Sequence, residues 1–459
     1  MRTFLSTSYP QWKTLAHQGY LTYPQNPQAL LLLLSYLYNI INYKGPKFSR
    51  TEDHKTKKLC YTIYENSLYK RRAERMKFTV NRLELLNRLR DVQLAISNKT
   101  TIPILTGLKL EASSNGLKMT GSNSDISIET MLSTGNEDAN LDIDEPGSIV
   151  LQPARFFADI VNKLADETFT FEVNTQLQAS ISSANSFFTI NALDAASYPY
   201  LPEIDTSESF TLPVKLLKKV IEQTVLAVSK HESRPILTGV NFSIEEGKLK
   251  AVATDSHRLS QRIIPVSVPE DLSFQIVIPG DSLTELSKVL TDDIEEVKVA
   301  LAENQILFMT EDTYFYSRLL EGNYPQTDQL IPNDSSTQID VNVKTLKGAV
   351  ARTSLLSHAG KNNVVKLIVE DGDLQLTSNS PEVGYVEEDV SVDSLEGENL
   401  EISFNPDYLR DALNTFEGNR VTLKLISTLR PFVIVPIEAE NDYDFIQLIT
   451  PIRTSTGVR

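Results

Sequence analysis

The chain has 459 residues, enough for about three domains at roughly 150 residues each. With 41% hydrophobic and 23% charged residues it has the composition of a folded globular protein, which excludes disorder. One cysteine excludes a disulfide scaffold or a Cys-rich metal site and fits a reducing, cytoplasmic setting; a net charge of −16 excludes a histone-like basic coat.

Residues 1–75 differ from the rest. They hold 12 Lys and Arg against 4 Asp and Glu, a net of +8, which leaves 32 against 56, a net of −24, for residues 76–459. Trp12, Cys60 and 9 of the 17 Tyr fall in this first part. Its one strongly apolar run, Ala29 to Ile41, is short of the roughly 20 residues that span a bilayer. The run also lacks the flanks of a signal peptide, so no membrane partner is expected. The segment is read as a translated upstream region with the natural start at Met76, ahead of an accessory arm or a membrane anchor. Lys70-Arg71-Arg72 can be encoded by purine-rich codons where a bacterial ribosome-binding site would lie.

From Met76 onward the chain repeats itself three times. Phe78-Thr79-Val80 opens a strand that leads into a helix carrying Leu83, Leu86, Leu89 and Val92. Pro103-Ile104-Leu105-Thr106-Gly107 follows, then a hairpin at Gly116-Leu117-Lys118-Met119. A second strand–helix unit starts near Pro153, with Phe156, Phe157, Ile160, Val161 and Leu164 as its apolar stripe. The copy ends on Tyr198-Pro199. The second copy opens at Phe210-Thr211-Leu212, repeats the Pro-Ile-Leu-Thr-Gly string at 235–239, and restarts at Pro279. Alternation over Val297, Val299 and Leu301, then Ile306 and Phe308, marks antiparallel strands with one buried face. This copy ends on Tyr324-Pro325. The third opens at Ile339-Asp340-Val341, restarts at Pro406 and ends at Thr450-Pro451. Each copy holds two helices and roughly eight short strands, an α+β class with helices on antiparallel sheets.

The helices carry cations against the acidic average: Arg82, Arg88 and Arg90; Arg155 and Lys163; Lys215, Lys218 and Lys219; Lys344, Lys347 and Arg352. If they share one surface, phosphates meet a positive lining inside an acidic shell. Material for catalysis is scarce, with no cysteine and only His231, His257 and His358 after residue 75. No Walker loop, GxGxxG or HExxH is present, and no cofactor is expected. Thr254-Asp255-Ser256-His257-Arg258 alone has the look of an active-site string. An Asx-type turn at a strand end accounts for it, with a hydrolase on Asp255 and His257 as the rival. A third alternative is an acidic repeat scaffold that never meets nucleic acid.

Residues 76–459 resemble the bacterial β sliding clamps, the processivity subunits of DNA polymerase III. The likeness rests on Met-Lys-Phe-Thr-Val at 76–80, the doubled Pro-Ile-Leu-Thr-Gly, and Ala-Thr-Asp-Ser-His-Arg-Leu at 253–259. Leu-Glu-Gly-Asn-Tyr-Pro at 320–325 and Leu-Ile-Thr-Pro-Ile-Arg at 448–453 complete it. The resemblance implies three clamp domains, 76–203, 204–332 and 333–459, in a head-to-tail dimeric ring around double-stranded DNA. Residues 1–75 have no counterpart in it. It implies a non-enzymatic homodimer that tethers the polymerase III catalytic subunit and meets the clamp loader. Other polymerases and repair proteins would bind through short hydrophobic peptides. The groove for those peptides would be lined by Leu237, Thr254, His257, Arg258, Leu259, Pro325, Leu330, Leu448, Ile449, Thr450, Pro451, Ile452 and Arg453. Thr450 stands where the family often has a larger apolar residue. The resemblance further implies a subunit interface of Phe188 against Leu355 and Leu356. Lys99, Arg155, Lys215, Lys218, Lys219, Arg234 and Lys347 would face DNA.

Overall fold

The computed structural model describes residues 75–453 apart from 98–99, 202–203, 232, 270–271, 360–362, 417, 419 and 438–443. Residues 1–74 and Lys99 lie outside the described residues, and with them the expectations placed there.

Six α-helices of the described residues come in pairs, one pair per repeat. These are α1 (Arg82–Leu94) and α2 (Ala154–Lys163), α3 (Val214–Val225) and α4 (Gly280–Val289), then α5 (Val343–Ala359) and α6 (Pro406–Leu413). Their starts are written locally. Asn81 Oδ1 accepts from the backbone N–H of Leu83 and Glu84, Asn342 Oδ1 from Lys344 and Thr345, and Asn405 Oδ1 from Asp407. Each such cap is worth about 1 kcal/mol. Before α2, α3 and α4 stand Pro153, Pro213 and Pro279 in extended conformation, which end the preceding strand and set the helix entry.

Three apolar side chains that the helical period assigned to the core are exposed, Leu216 of α3 among them at 36% beside buried Leu217. Leu83 is 55% exposed because the stripe of α1 runs through Leu85, Leu86, Leu89 and Val92, and Leu83 lies about 200° around from Leu85. Phe156 is 51% exposed, since its neighbour Phe157 takes the core seat edge-on to Phe171 at 5.6 Å.

The strands form sheets of 13, 9 and 4 strands, all antiparallel in the pairings described. The two larger sheets run across repeat boundaries. Ile126–Ser133 of the first repeat pairs with Thr313–Arg318 of the second, in the register Ile126↔Ser317 to Thr130↔Thr313. Arg258–Pro265 of the second pairs with Phe445–Ile449 of the third, Arg258↔Ile449 to Arg262↔Phe445. Positions 126 and 258, like 317 and 449, are one repeat apart, so the two joints are built in the same register. Strand alternation turns Ile126, Ile128 and Phe315 toward the helices and Ser127 and Glu129 away. The helices of each pair pack together, and α1 also touches α4 across the first joint. At the second joint Gln447 Nε2 of the third repeat donates to the Gln223 carbonyl of α3 at 3.0 Å and reaches Thr415, just after α6, at 3.2 Å. The helices thus form one row beneath the sheets.

On α1, burial pushes the half-buried Asp91 carboxyl up to about 6 from 3.8, against the pull of Arg88 and Arg90. The folded chain therefore binds a proton between those pH values that the unfolded chain has lost. The favourable contribution is complete below about pH 3.8 and is lost as pH rises through 6. Asp91→Asn should raise stability by about 1 kcal/mol at pH 7.5, less than the shift alone implies because water screens the group. Urea unfolding of both proteins should show that gain shrink toward zero at pH 4.

Candidate functional site

Three features of the second to third repeat joint make a groove on the helix-free face. The first is a turn: Thr238 Oγ1 donates to the Pro235 carbonyl at 2.7 Å, and the Pro235–Thr238 turn seats Leu237 against Val277 and Tyr324. The second is a tie between walls, where the backbone N–H of Thr254 donates to the Tyr324 hydroxyl at 3.1 Å. Burial raises the Tyr324 phenol well above its usual range, and the Thr254 N–H opposes it. The third is a floor in which Leu259 and Leu448 pack with Val252, Val433, Val435 and Ile446. Val252 and Val277 alternate with Ala251, Ala253 and Ile278, which face the core, so these clusters lie on the outer face.

Around this floor stand exposed groups. Leu330 is 50% and Ile452 is 37% exposed; Pro325, His257 and Arg453 are exposed and Pro451 is half-buried. Thr450 donates both its backbone N–H, at 2.9 Å, and its hydroxyl, at 2.8 Å, to the His257 carbonyl. It is the counterpart of Arg318, whose N–H meets the Asp125 carbonyl at 2.9 Å. Thr450-Pro451 therefore does not repeat Tyr198-Pro199, as the sequence pattern had it.

Two expected groove residues face the other way. Arg258 and Ile449 are 8% and 1% exposed and pair with each other, pointing to the helix side. The resemblance implies 257–259 and 448–453 as unbroken runs, whereas a strand sends successive side chains to opposite faces. Arg258 instead locks the joint. Its Nε donates to Asp255 Oδ2 and its Nη1 to Asp411 Oδ2, both at 3.0 Å, and its guanidinium lies 4.7 Å from the Tyr408 ring centroid. Sequence reading missed Val277, Leu320 and Tyr324 as parts of the groove; the Tyr-Pro ending was the available signal for the last.

Asp255 is spent structurally. Oδ1 accepts from the backbone N–H of His257 at 2.9 Å and of Arg258 at 3.0 Å, the Asx-type turn expected from sequence, and Oδ2 accepts from the Arg258 guanidinium. The His257 ring stacks on Tyr408 at 6.5 Å. That arrangement leaves the carboxylate no orienting role for the imidazole, and the hydrolase alternative loses its dyad. Among the described residues no group of three or more His, Cys, Asp or Glu is placed to hold a metal. Among them, too, no helix is long and apolar enough to cross a membrane.

Among the open strand edges of the described residues, two answer to strands that are joined at the internal joints. Gly384–Val390 ends the four-stranded sheet, and Ser186–Asn191 pairs on one side only, with Gln178–Ser183. They are the repeat counterparts of the strands joined elsewhere: 384–388 matches 126–130 and 258–262, and 186–190 matches 313–317 and 445–449. Phe188 lies opposite buried Ile181 on the core side yet is 38% exposed; its counterpart Phe315 is 1% exposed. Leu355, 70% exposed, and half-buried Leu356 sit on α5, which packs over Gly384–Val390.

Of the expected DNA-facing cations, Arg155, Lys215 and Lys347 are exposed on the helices, along with Arg90, Lys163 and Lys344. Lys218 is held by Asp292 at 2.8 Å, and Lys219 is half-buried. Arg88 is paired with Asp312, and Arg352 with Glu388. Arg234 is exposed but sits on the loop before the Pro235–Thr238 turn, off the helix row. The lining is therefore less positive than a residue count suggests.

Comparison with known proteins agrees with this architecture. The DNA polymerase III beta subunit family matches in three consecutive pieces: its N-terminal domain over residues 76–202, central domain over 211–326 and C-terminal domain over 328–453. The Beta sliding clamp of Bacillus subtilis (strain 168) is 48% identical over 381 residues, 83% of this chain and 100% of that protein. That of Streptococcus pneumoniae (TIGR4) is 47% identical over 379 residues, 82% of this chain and 99% of that protein. Among solved structures, the polymerase III beta chain of Streptococcus pneumoniae TIGR4 superposes with a TM-score of 0.80 at 46% identity, covering 83% of this chain and 100% of that one. The Bacillus subtilis sliding clamp gives 0.79 at 48%, with the same coverage. Three matched domains in order, over a fold whose sheets run unbroken from repeat to repeat, show that the chain belongs to the DNA polymerase III beta subunit, or beta sliding clamp, family.

Proposed function

We propose that two copies of this chain close head to tail into a ring around duplex DNA and tether the replicative polymerase to it. The observation that carries this reading is the pair of open edges. Joined in the register of the two internal joints, Ser186 faces Glu388, Phe188 faces Val386 and Ile190 faces Gly384 of the second copy. Two unlike edges form a closed ring only if the rotation closes. Two copies of three equivalent joints supply six equal steps. Phe188 then enters the apolar space beside Leu355 and Leu356. The strand Ser186–Asn191 carries no charged side chain, so the joint is held by burial rather than ion pairs.

Duplex DNA in such a ring meets the exposed cations of the helix row and no base-reading element, which suits sliding. Short hydrophobic peptides of the polymerase, the loader and repair proteins anchor in the Leu237–Tyr324–Leu448 groove. The domains run 76–203, 204–332 and 333–459, the protein acts in the cytoplasm, and residues 76–459 suffice for the activity. ATP is consumed by the separate loader.

The test is loading onto nicked circular DNA with a matching loader and ATP, followed by cutting the circle. Retention before the cut, and loss after it, is the expected result. Equal loss from uncut and cut circles by a folded dimer would overturn the reading in favour of a scaffold that does not encircle DNA.

A further inference from the structure

Beside the open edge Ser186–Asn191 lies a cleft of about 340 Å³, walled by Pro153, Phe156, Ile160 and Ile190 with Thr189 and Asn191 at its rim. At the two internal joints the residue that faces the matching strand position carries a buried side chain. At the first joint the plug is Ile126, 4% exposed, opposite Ser317. At the second it is Arg258, opposite Ile449, lying over Tyr408 and donating to Asp411. Tyr408 and Asp411 are the third and sixth residues of α6, and Phe156 and Asp159 are the third and sixth of α2. The cleft wall thus keeps an aromatic ring, and α2 carries an exposed carboxylate further along, at the helix positions that hold a guanidinium in the second joint. The plug itself is missing. In the register proposed above, the partner offers Gly384, which has no side chain to fill the cleft.

We infer that this cleft is a binding site for a guanidinium- or amidinium-bearing ligand, such as an arginine side chain of a partner protein, at the joint between subunits. The cation lies on the Phe156 ring and pairs with Asp159, while its carbon chain covers Ile160 and Ile190. The ring already draws a cation, since the guanidinium carbon of Arg155 lies 5.4 Å from its centroid. Arg155 is therefore an internal competitor. The partner's position in this account rests on the ring reading, but the receptor residues all belong to one protomer.

Benzamidine is a suitable probe, followed through the methyl resonances of Ile160 and Ile190 in the full-length protein. Saturable shifts of both methyls are expected. Binding should weaken at least tenfold in Phe156→Ala and in Asp159→Asn, and tighten in Arg155→Ala. Benzamide, the uncharged analogue, should bind at least tenfold more weakly. No saturable shift, equal binding of benzamide, or unchanged affinity in Asp159→Asn would overturn the proposal. Light scattering on the same sample separates the two readings. A monomer that still binds benzamidine sinks the ring but not the site, and a dimer that does not bind it sinks the site alone.

Discussion

Phe188→Asp is expected to leave a folded monomer that cannot be retained on circular DNA. In a single chain the side chain is 38% exposed, so the substitution should cost the protomer less than about 1 kcal/mol. Closure changes the environment. Phe315, the counterpart at the first joint, is 1% exposed and lies opposite buried Ile128 of the neighbouring repeat, the kind of surrounding Phe188 enters when the partner arrives. A carboxylate there would face Val386, Leu355 and Leu356 with no cation on its own strand, and Glu387 and Glu388 are close by in sequence on the facing edge. An unpaired buried charge costs roughly 3–5 kcal/mol per joint, and the ring has two joints. Dimer affinity should therefore fall by more than about 10⁴-fold. Light scattering at micromolar concentration, with circular dichroism as the folding check, decides it. A dimer that persists would place the closure somewhere other than these edges.

The sequence disclosed the repeat far better than it disclosed the faces. Verbatim Pro-Ile-Leu-Thr-Gly strings and regular helix starts at Pro153, Pro279 and Pro406 located the units, because local turns and caps are written in nearby residues. Which side of a strand a residue serves depends on the neighbouring strand, often more than a hundred positions away. Arg258 shows the consequence. From sequence it belongs with His257 and Leu259, yet its pairing with Ile449 turns it under the sheet toward Asp411 and Tyr408. The same blindness applies to charge. Lys218, Arg88 and Arg352 count as lining cations until Asp292, Asp312 and Glu388 are seen beside them. Leu83 and Phe156 failed for a third reason. A helical stripe fixes the core face only to within a residue or so, and both sit at the edge of that uncertainty.

The second large effect is expected at the groove. Leu330→Asp combined with Ile452→Asp should abolish capture of short hydrophobic peptides while leaving the dimer and its retention on DNA unchanged. Both side chains are substantially exposed, at 50% and 37%, so neither change removes core packing. Leu237, 3% exposed against Val277 and Tyr324, would be a poor choice, because a carboxylate there would strain the fold itself. Peptide anchors draw most of their affinity from a few fully desolvated apolar contacts, each worth about 2 kcal/mol or more. Two charges at the rim should therefore weaken binding by at least about 100-fold, read by fluorescence anisotropy with a labelled hydrophobic peptide. Wild-type affinity in the double variant, with the dimer intact, would move the anchor away from this groove. Loss of peptide binding without loss of retention on a circle would separate the two tasks of the chain, since the edges that close the ring and the groove that receives partners lie on different strands.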